Sequence, residues 1–513
     1  MPKDNPDQPQ AKSNATQNES PPPGPQSISD SARKLTTFGA LVALALASID
    51  VSVVGTAMPK IVEELHGLEL YSWVGVAYAM AAAVVIPISG KLGDMFGRRP
   101  FLLAGLAGFV ISSVLGGIAD GMTMLVVART LQGVCAGVLN ANIFTLIGEI
   151  YPAERRAKIM GLCFSVASVG MVAGPPFGGL ITDVLSWRWV FYINVPLGVL
   201  ALVTVAAMPS IRSRANWRDI DFLGVLTLTA GFVPILAGLS VASNGHGWGR
   251  AGVLIPIIAG AVVLVAFYFV ETRYARQPIM PFGIFKVNQV AILTTIAFLS
   301  AFVMMGTSYF IPLLYQGVLG VSATFSGSLL IPLALAMVVV PPFTGKLLVS
   351  VPKYRVLAVV GFAAMAGGLL MLTGIAPDSN QVLPLVAMVL IGIGVGLLFP
   401  LATTVIQSAV PMEQLGVGTG LVQFSRTLAA PVAIALLGTV MTVRLSNLGA
   451  TGETGTPGQL SDALSSVFLT GVVLAVVGLV IAFFLKEIPL RSAPKPPPPK
   501  KAEEVKQREG SGT

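Results

Sequence analysis

The sequence has very little charge for its length. Only 11% of its 513 residues are Asp, Glu, Lys or Arg, whereas 54% are hydrophobic. About a quarter of the residues in an average globular domain are charged, so this composition excludes a water-soluble globular protein of this size. The mean hydropathy of +0.80 indicates that lipid surrounds most of the chain.

Cysteine and histidine are almost absent. The two cysteines, Cys135 and Cys163, both fall in apolar runs, and there are only two histidines. This scarcity excludes a disulfide framework and a Cys/His metal centre. The loops also lack a nucleotide-binding glycine loop and a nucleophile–base pair. We therefore expect no enzymatic activity, no ATP-driven pumping, no metal and no cofactor.

Long apolar runs fill most of the sequence. A transmembrane helix needs about 20 apolar residues, and helices satisfy their own backbone hydrogen bonds in lipid. Short alternating segments typical of a β-barrel do not occur. The pattern predicts an all-α integral membrane protein with fourteen spans, at residues 36–58, 71–90, 100–119, 122–148, 157–182, 189–209, 220–242, 251–270, 288–313, 325–345, 355–376, 382–407, 416–443 and 464–485.

Basic residues predict the orientation of these spans. With both termini in the cytoplasm, 26 of the 32 Lys and Arg residues lie on the cytoplasmic side, 4 lie outside and 2 lie near the middle of a span. This bias follows the positive-inside rule. It also accounts for the net charge of +8, which therefore requires no nucleic-acid partner. We expect a multi-pass protein of a bacterial-type inner membrane, without a cleavable signal peptide.

A weak internal repeat divides the chain. An offset of 255 residues aligns Gly-Lys-Leu at 90–92 with Gly-Lys-Leu at 345–347. Repeated six-helix halves with a substrate site between them are typical of secondary transporters. The predicted units are a disordered cytoplasmic tail (1–33), a six-helix half (34–210), an inserted helix pair (211–286), a second six-helix half (287–486) and a disordered cytoplasmic tail (487–513). The outer loop 444–463 of the second half is either a small lid or a flexible connector.

Three ionisable residues lie well inside the apolar spans: Asp50, Arg129 and Arg426. A charge at the bilayer centre costs about 2.5–3.5 kcal/mol, which makes such residues candidates for function. Asp50 and Arg129 lie at matched depths, about 11 Å below the outer ends of their spans at a rise of 1.5 Å per residue. A neighbouring arginine favours an ionised carboxylate, whereas burial favours the protonated form. Movement of Arg129 would load or unload a proton on Asp50, unless the two form a static ion pair.

Four sequence strings carry more specific signals. Residues 90–99 read GKLGDMFGRR, residues 129–133 read RTLQG, residues 170–179 read GMVAGPPFGG, and residues 187–198 read WRWVFYINVPLG. With these strings the chain resembles the major facilitator superfamily. More specifically, it is similar to the fourteen-span drug:proton antiporters of that superfamily, from about residue 33 to residue 486. The resemblance implies the major facilitator fold, with two six-helix halves and two inserted central helices.

The resemblance also implies a gate at the first string, which switches between outward-open and inward-open states. The gate residues would be Gly90, Asp94, Gly97, Arg98, Arg99 and Glu149. We expect Glu149 to form a salt bridge with Arg98 or Arg99. A positively charged loop with a helix cap is the alternative interpretation of this string.

The resemblance further implies that Arg129 takes part in proton transfer and that the third string is an antiporter motif. The residues of this motif are Gly170, Gly174, Pro175, Gly178 and Gly179. Small residues let helices approach closely, and prolines kink a helix. We expect the motif at the contact between the two halves. Close glycine packing without a role in transport direction is the alternative.

Several polar, aromatic and methionine residues are candidates for lining a substrate cavity, because such walls suit varied apolar substrates. The candidates are Tyr78, Asn140, Asn142, Met305, Tyr309, Gln316, Gln423 and Arg426. Arg426 would either bind an anionic substrate group or donate hydrogen bonds to helix carbonyls. The sequence does not distinguish between these two roles.

These patterns predict a monomeric, proton-coupled antiporter that exports hydrophobic or amphipathic small molecules. Its partners would be these substrates, protons and the lipid bilayer. Asp50 would bind the proton, since it is the one acid well inside a predicted span. Two alternatives remain open. One is an exporter of a specific lipid or anionic metabolite, and the other is a membrane sensor on a transporter scaffold.

Overall fold

The computed structural model describes residues 29–208, 216–243, 248–321, 330–350, 353–377, 379–380, 382–449 and 456–488. These residues form helices and their connections, and no strand occurs among them. In this part of the chain, fourteen helices are long and apolar enough to cross a membrane, so the predicted all-α membrane fold is confirmed. We number them α1 (Asp30–Leu65), α2 (Tyr71–Phe96), α3 (Arg98–Gly117), α4 (Met122–Ile150), α5 (Ala153–Val184), α6 (Trp189–Ala206), α7 (Phe222–Ser243), α8 (Ala251–Arg273), α9 (Asn288–Leu313), α10 (Ile331–Ser350), α11 (Tyr354–Thr373), α12 (Val382–Ala409), α13 (Leu415–Asn447) and α14 (Pro457–Phe483).

Short helical turns complete the fold. Helix α6 consists of two segments, Trp189–Tyr192 and Asn194–Ala206. A π turn, Leu314–Val318, extends α9. Four 3₁₀ turns join helices, at Leu68–Leu70, Trp217–Asp219, Phe282–Lys286 and Met412–Gln414.

Several predicted boundaries differ from the structure. Helix α1 begins at Asp30, inside the predicted tail 1–33, because the Ser29 hydroxyl caps it by accepting a hydrogen bond from Ala32 N at 3.3 Å. Helix α13 continues to Asn447 and α14 begins at Pro457, so the connection is shorter than the predicted loop 444–463. Residues 450–455 of that loop, with the predicted lid, lie outside the described residues, as do 1–28 and 489–513 of the two tails.

The helices associate in three groups. We call α1–α6 the first half, α9–α14 the second half, and α7 with α8 the inserted pair. In the first half, α2 packs on α4 and α1 packs on α5, while in the second half α11 packs on α12 and α9 on α13. The halves meet along two seams, α5 with α10 and α2 with α13. Helices α7 and α8 of the inserted pair pack on each other, and α7 also packs on α13 and α2. The inserted pair therefore lies over the second seam.

Both seams are tightest near the end of the bundle at which α1 begins and α14 ends, which we call the terminal end. At the α5–α10 seam, a Cβ on Gly161 would lie 2.8 Å from the carbonyl carbon of Pro341. At the α2–α13 seam, a Cβ on Gly90 would lie 2.7 Å from the carbonyl oxygen of Gly416. Such distances are shorter than van der Waals contact, so only glycine allows the backbones to approach this closely. The two halves are therefore in direct backbone contact at the terminal end.

Replacement of Gly161 by alanine tests the backbone contact between α5 and α10. The added methyl group has no space against Pro341, so we expect a lower thermal midpoint, corresponding to roughly 1–3 kcal/mol of overpacking. Gly179→Ala is the matched control on the same helix, because no atom lies within 4 Å of its Cβ position. Thermal unfolding of the purified protein in detergent measures both. Equal midpoints for the two variants would contradict the tight seam.

Candidate functional site

A cavity of about 670 Å³ lies between the two halves. Its wall is mostly apolar and contains five methionines and the rings of Phe144, Phe164 and Phe399. The cavity reaches Ser72 and Gly75 at the start of α2, close to the end of the bundle opposite the terminal end. Its other end is shut by the backbone contacts at the two seams. The shape is a pocket that opens away from the terminal end.

Five of the eight predicted cavity residues line this pocket: Tyr78, Asn140, Met305, Gln423 and Arg426. Asn142 does not, because a step of two residues along α4 turns it to another face. Its Nδ2 donates to Ser89 Oγ at 2.7 Å, close to the predicted gate. The prediction for Asn142 was therefore wrong.

Tyr309 and Gln316 do not belong to the described wall of this cavity. Tyr309 is 54% exposed one turn beyond Met305 on α9, and Gln316 is exposed in the π turn beyond that helix. Sequence reasoning missed the three phenylalanines of the wall. Phe144 had a usable signal, since it lies four residues after Asn140 and so on the same face of α4.

Asp50 lies at the centre of a buried polar network. One carboxylate oxygen accepts a hydrogen bond from Arg129 Nη1 at 2.6 Å. The other accepts from Gln132 Nε2 at 2.8 Å and from Asn194 Nδ2 at 2.7 Å. Gln132 also donates to Ser113 Oγ at 2.8 Å. The structure thus brings the predicted pair together and joins α1, α3, α4 and α6 around it.

The network places the two charges in different positions relative to the cavity. Asp50 is 1% exposed and is not part of the cavity wall, whereas Arg129 lines the cavity. The guanidinium of Arg129 lies 4.3 Å from the ring centre of Tyr78, which also lines the cavity. Arg129 therefore lies between the carboxylate and the space in which a ligand would bind.

Three members of the Asp50 network escaped the sequence analysis: Gln132 and Asn194, which donate to Asp50, and Ser113, which accepts from both of them. Gln132 follows Arg129 by three residues, so helical spacing alone places both on one face of α4. Asn194 stands at the junction of the two segments of α6, within an otherwise apolar span. Ser113 had no signal, since a serine on an apolar helix is common.

The predicted antiporter motif packs inside the first half. Gly170, Gly174 and Gly178 face α1, where their Cβ positions would meet Ser48, Ser52 and Thr56. Gly179 has no neighbour within 4 Å, and Pro175 is exposed. The expected position at the contact between the halves was wrong, because that contact uses the earlier turns of α5, around Gly161. The glycines instead bring α5 against the helix that carries Asp50.

The predicted gate residues form an ionic cluster at the terminal end. Arg98 pairs with Asp94 and donates from Nε to Glu149 at 2.9 Å and from Nη1 to the carbonyl oxygen of Gly90 at 2.9 Å. Asp94 also accepts from the backbone N–H groups of Gly416 at 2.8 Å and Val417 at 3.0 Å. These two groups open α13, where the helix dipole favours a carboxylate. Asp94 thus ties the first half to the second.

The remaining gate residues have local roles. Gly97 has a φ of 85°, which lets the chain reverse between α2 and α3. Glu149 has Arg98 as its partner, whereas Arg99 donates to the carbonyl oxygen of Ala206 at 2.7 Å. Of the two arginines expected to pair with Glu149, Arg98 is the one that does so in the structure.

Arg426 lies in the cavity wall without an acidic partner. Its Nη2 donates to the Phe399 carbonyl oxygen and to Thr403 Oγ1 at 2.9 Å, and its Nη1 donates to Gln423. The rings of Phe164 and Phe399 lie 4.7 and 4.3 Å from the guanidinium carbon. Nε has no acceptor, and none of the ion pairs among the described residues includes Arg426. The guanidinium charge is therefore solvated by dipoles and rings, and no carboxylate compensates it.

Comparisons with known proteins agree with this architecture. A sequence model of the Major Facilitator Superfamily matches residues 40–434. The Bacillus subtilis (strain 168) Multidrug transporter protein MdtP is 32% identical over 530 residues, which cover 93% of this chain and 96% of MdtP. Multidrug resistance protein 3 of the same organism is 33% identical, over 85% of this chain and 82% of its own length.

Solved structures extend the likeness of fold. The human organic anion transporter MFSD10 (TETRAN) superposes with a TM-score of 0.63 at 13% identity, over 88% of this chain and 99% of that one. The proton:xylose symporter XylE superposes with a TM-score of 0.64 at 15% identity, over 91% and 98%. At these identities the similarity concerns the fold alone.

Replacement of Asp94 by alanine tests the ionic cluster. The variant removes one of the two carboxylates that pair with Arg98 and leaves two N–H groups of α13 without an acceptor. Each buried donor left unsatisfied costs about 1–3 kcal/mol. We expect a clearly lower thermal midpoint. Asp183→Ala is the control, because it removes the exposed pair with Lys60, and exposed pairs contribute little. If the thermal midpoints of Asp94→Ala and Asp183→Ala were equally close to that of the unchanged protein, the contact between the halves through Asp94 would be contradicted.

Proposed function

The chain belongs to the major facilitator superfamily, and from this premise we propose that it is a proton-coupled antiporter that exports hydrophobic or amphipathic small molecules. The family and the relatives named as multidrug transporters make the chain a membrane transporter rather than an enzyme. Proton coupling and the direction of transport are the proposed part. The observation that carries it is the buried Asp50–Arg129 pair at the wall of the cavity.

The pair can couple a proton to a change in the cavity wall. Arg129 and the amide groups of Gln132 and Asn194 stabilise the ionised carboxylate, whereas burial favours its protonated form. A proton on Asp50 removes the charge that holds Arg129 at 2.6 Å. The guanidinium is then free to move toward the cavity. Occupation of Asp50 by a proton thus changes both the charge and the shape of the ligand space.

Alternation between two open states requires the terminal end to separate. In the orientation that the basic residues predict, this end faces the cytoplasm and the cavity opens to the outside. Separation would break the hydrogen bonds from Gly416 and Val417 to Asp94. Asp94 would keep Arg98 as a partner within its own half, so no charge would be left alone.

The proposed cycle has four steps. Asp50 takes up a proton from the outside, and the transporter turns inward with the proton bound. The proton leaves to the cytoplasm, and Asp50 again holds Arg129. Substrate then loads from the cytoplasm or the inner leaflet and is carried outward. Exchange is obligatory when proton and substrate disfavour each other in the same cavity.

Asp50→Asn tests the proton site. Asparagine keeps the size and some hydrogen bonds of the side chain but cannot ionise, so we expect efflux driven by a pH gradient to be lost while the protein remains folded. Proteoliposomes with an imposed pH gradient measure the efflux, and the thermal midpoint measures folding. Asp120→Asn, at an exposed aspartate, is the control and should transport normally. Full proton-driven efflux by the Asp50→Asn variant would exclude the proposed role.

One observation favours a second candidate, the export of an anionic metabolite or lipid. Among the residues that the structure describes, the cavity wall contains two arginines and neither Asp nor Glu. Arg129 is paired with Asp50, but Arg426 has no such partner. In a low-dielectric cavity an uncompensated cation attracts an anion strongly.

The two candidates differ in the sign of their coupling to protons. A proton on Asp50 releases Arg129 and adds positive charge at the wall, so it strengthens binding of an anion and weakens binding of a cation. Strict exchange requires that a proton on Asp50 weaken the binding of the cargo, which is the opposite of its effect on an anion. Proton exchange at Asp50 therefore suits a neutral or cationic amphipathic cargo. An anion bound at Arg426 would travel together with the proton, so its export would have to be driven by the concentration gradient of the anion.

The pH dependence of binding distinguishes the candidates. Three aromatic ligands of equal size, one cationic, one neutral and one anionic, are titrated onto the purified protein at several pH values. If the cargo is anionic, its affinity rises as the pH falls, and Arg426→Gln lowers that affinity by at least tenfold. Asp50→Asn, which mimics the protonated carboxyl, should abolish the pH dependence. Tight binding of the cation that weakens at low pH would support the first candidate and exclude the second.

A further inference from the structure

A second pocket lies beside the α2–α13 seam, on the side where the inserted pair packs. Its volume is about 330 Å³, and it is enclosed by α7, α8, α9, α13 and the connection between α8 and α9. Six aromatic side chains line it: Phe232, Phe267, Tyr268, Phe282, Phe285 and Phe424. None of the described residues in its wall is Asp, Glu, Lys or Arg. We call it the aromatic pocket.

The aromatic pocket borders the lipid. It is built from the halves of the helices that lie toward the terminal end, and Tyr268 in its wall is 48% exposed. Helix α8 is the least buried of the fourteen, with 17% of its most apolar window buried inside the protein. In the predicted orientation, the mouth of the pocket therefore faces the hydrocarbon of the inner leaflet.

The aromatic pocket shares a wall with the central cavity. On α13, Phe424 and Ser425 face the aromatic pocket, whereas Gln423 and Arg426 face the central cavity. On α7, Phe232 lines the aromatic pocket, and Leu236, one turn farther along, lines the cavity. Side chains of α7 and α13 thus form the layer between the two spaces.

The rings of Phe232 and Phe424 form part of this layer. Their centres lie 4.9 Å apart, with the ring planes at 89°. An edge-to-face pair of this kind contributes about 0.5–1.5 kcal/mol beyond its buried area. Rotation of two side chains would break the contact without any change in the backbone.

We propose that the aromatic pocket is a lateral entry site, where an uncharged aromatic cargo molecule from the inner leaflet binds before it passes between α7 and α13 into the central cavity. This inference rests on the proposed export function. The aromatic wall provides ring faces and edges for stacking, and the absence of charge excludes ionised groups. The volume is at the lower end of small-molecule sites, which suits one fused ring system.

The occupant is cargo rather than a resident lipid because of where the pocket leads. A site for a lipid alone has no need of a thin wall toward the transport cavity. Here the inserted pair supplies part of both spaces, since Phe232 and Leu236 stand on the same helix. The inserted pair therefore acts as the outer wall of an access path.

Two tryptophan variants on α8 test this proposal. Leu264 lines the aromatic pocket, and Val262, two residues earlier, is 64% exposed to lipid. Leu264→Trp should fill the pocket, and Val262→Trp is the control with the same added ring. The probe is an uncharged polycyclic aromatic dye that fluoresces in lipid. We expect Leu264→Trp to raise the dye concentration for half-maximal export at least tenfold, with Val262→Trp unchanged.

Equilibrium binding separates this proposal from the proposed function. Dye binding to the purified protein needs no proton gradient, so weaker binding in Leu264→Trp than in Val262→Trp supports the pocket whatever drives transport. Absence of proton-driven dye export by the unchanged protein would count against the antiporter function alone. If Leu264→Trp does not fold, Ser425→Phe fills the same pocket from α13 and takes its place.

Three results would overturn the lateral entry site. The first is equal dye affinity and equal export for the filled variant and its control. The second is labelling of the pocket by a photoactivatable acyl chain that excess dye does not displace, which would assign the pocket to a lipid. The third is dye export that depends on dye in the water phase and is unchanged by its concentration in the membrane.

Discussion

The buried ion pair between Asp50 and Arg129 is the interaction on which the rest of the first half depends. Two charges are stable in a lipid-embedded bundle only when they compensate each other and when hydrogen bonds satisfy their remaining polar atoms. Asp50 therefore needs Gln132 and Asn194 as donors, and these need Ser113 behind them. Four helices have to converge on one carboxylate. The glycines that press α5 against α1 keep the helix of Asp50 in this position.

The two seams between the halves are built from different interactions. At the α5–α10 seam the backbones touch through Gly161 and Gly345, with no ionic contact among the bonds described. At the α2–α13 seam, glycine contact is combined with the carboxylate of Asp94 on the start of α13. The sequence repeat has the same asymmetry, since Asp94 aligns with Val349 at the offset of 255 residues. An ionic contact can be exchanged for another within one half, so the α2–α13 seam is the one suited to open and close.

Sequence reasoning predicted what depends on depth and composition. The number of spans follows from apolar runs, and the proximity of Asp50 and Arg129 follows from matched depth in neighbouring spans. It failed where the direction in which a side chain points from its helix axis determines its surroundings. Asn142 and Asn140 are two residues apart and face different surroundings. Asn194 reaches Asp50 only because α6 packs beside α1, and Ser113 reaches Gln132 only because α3 packs on α4, which no local pattern encodes.

Because of the position of the inserted pair, movement at the α2–α13 seam also affects the wall between the aromatic pocket and the central cavity. Helix α7 contacts both α2 and α13, so any separation of these two helices must also displace α7. The layer that contains Phe232 and Phe424 lies at that contact. Opening of the seam at the terminal end would therefore loosen the wall between the aromatic pocket and the central cavity in the same movement. In the proposed cycle, lateral access for a lipid-dissolved cargo would then be available in the inward-facing state, and closure of the Asp94 contact would end it before the cargo is released outward.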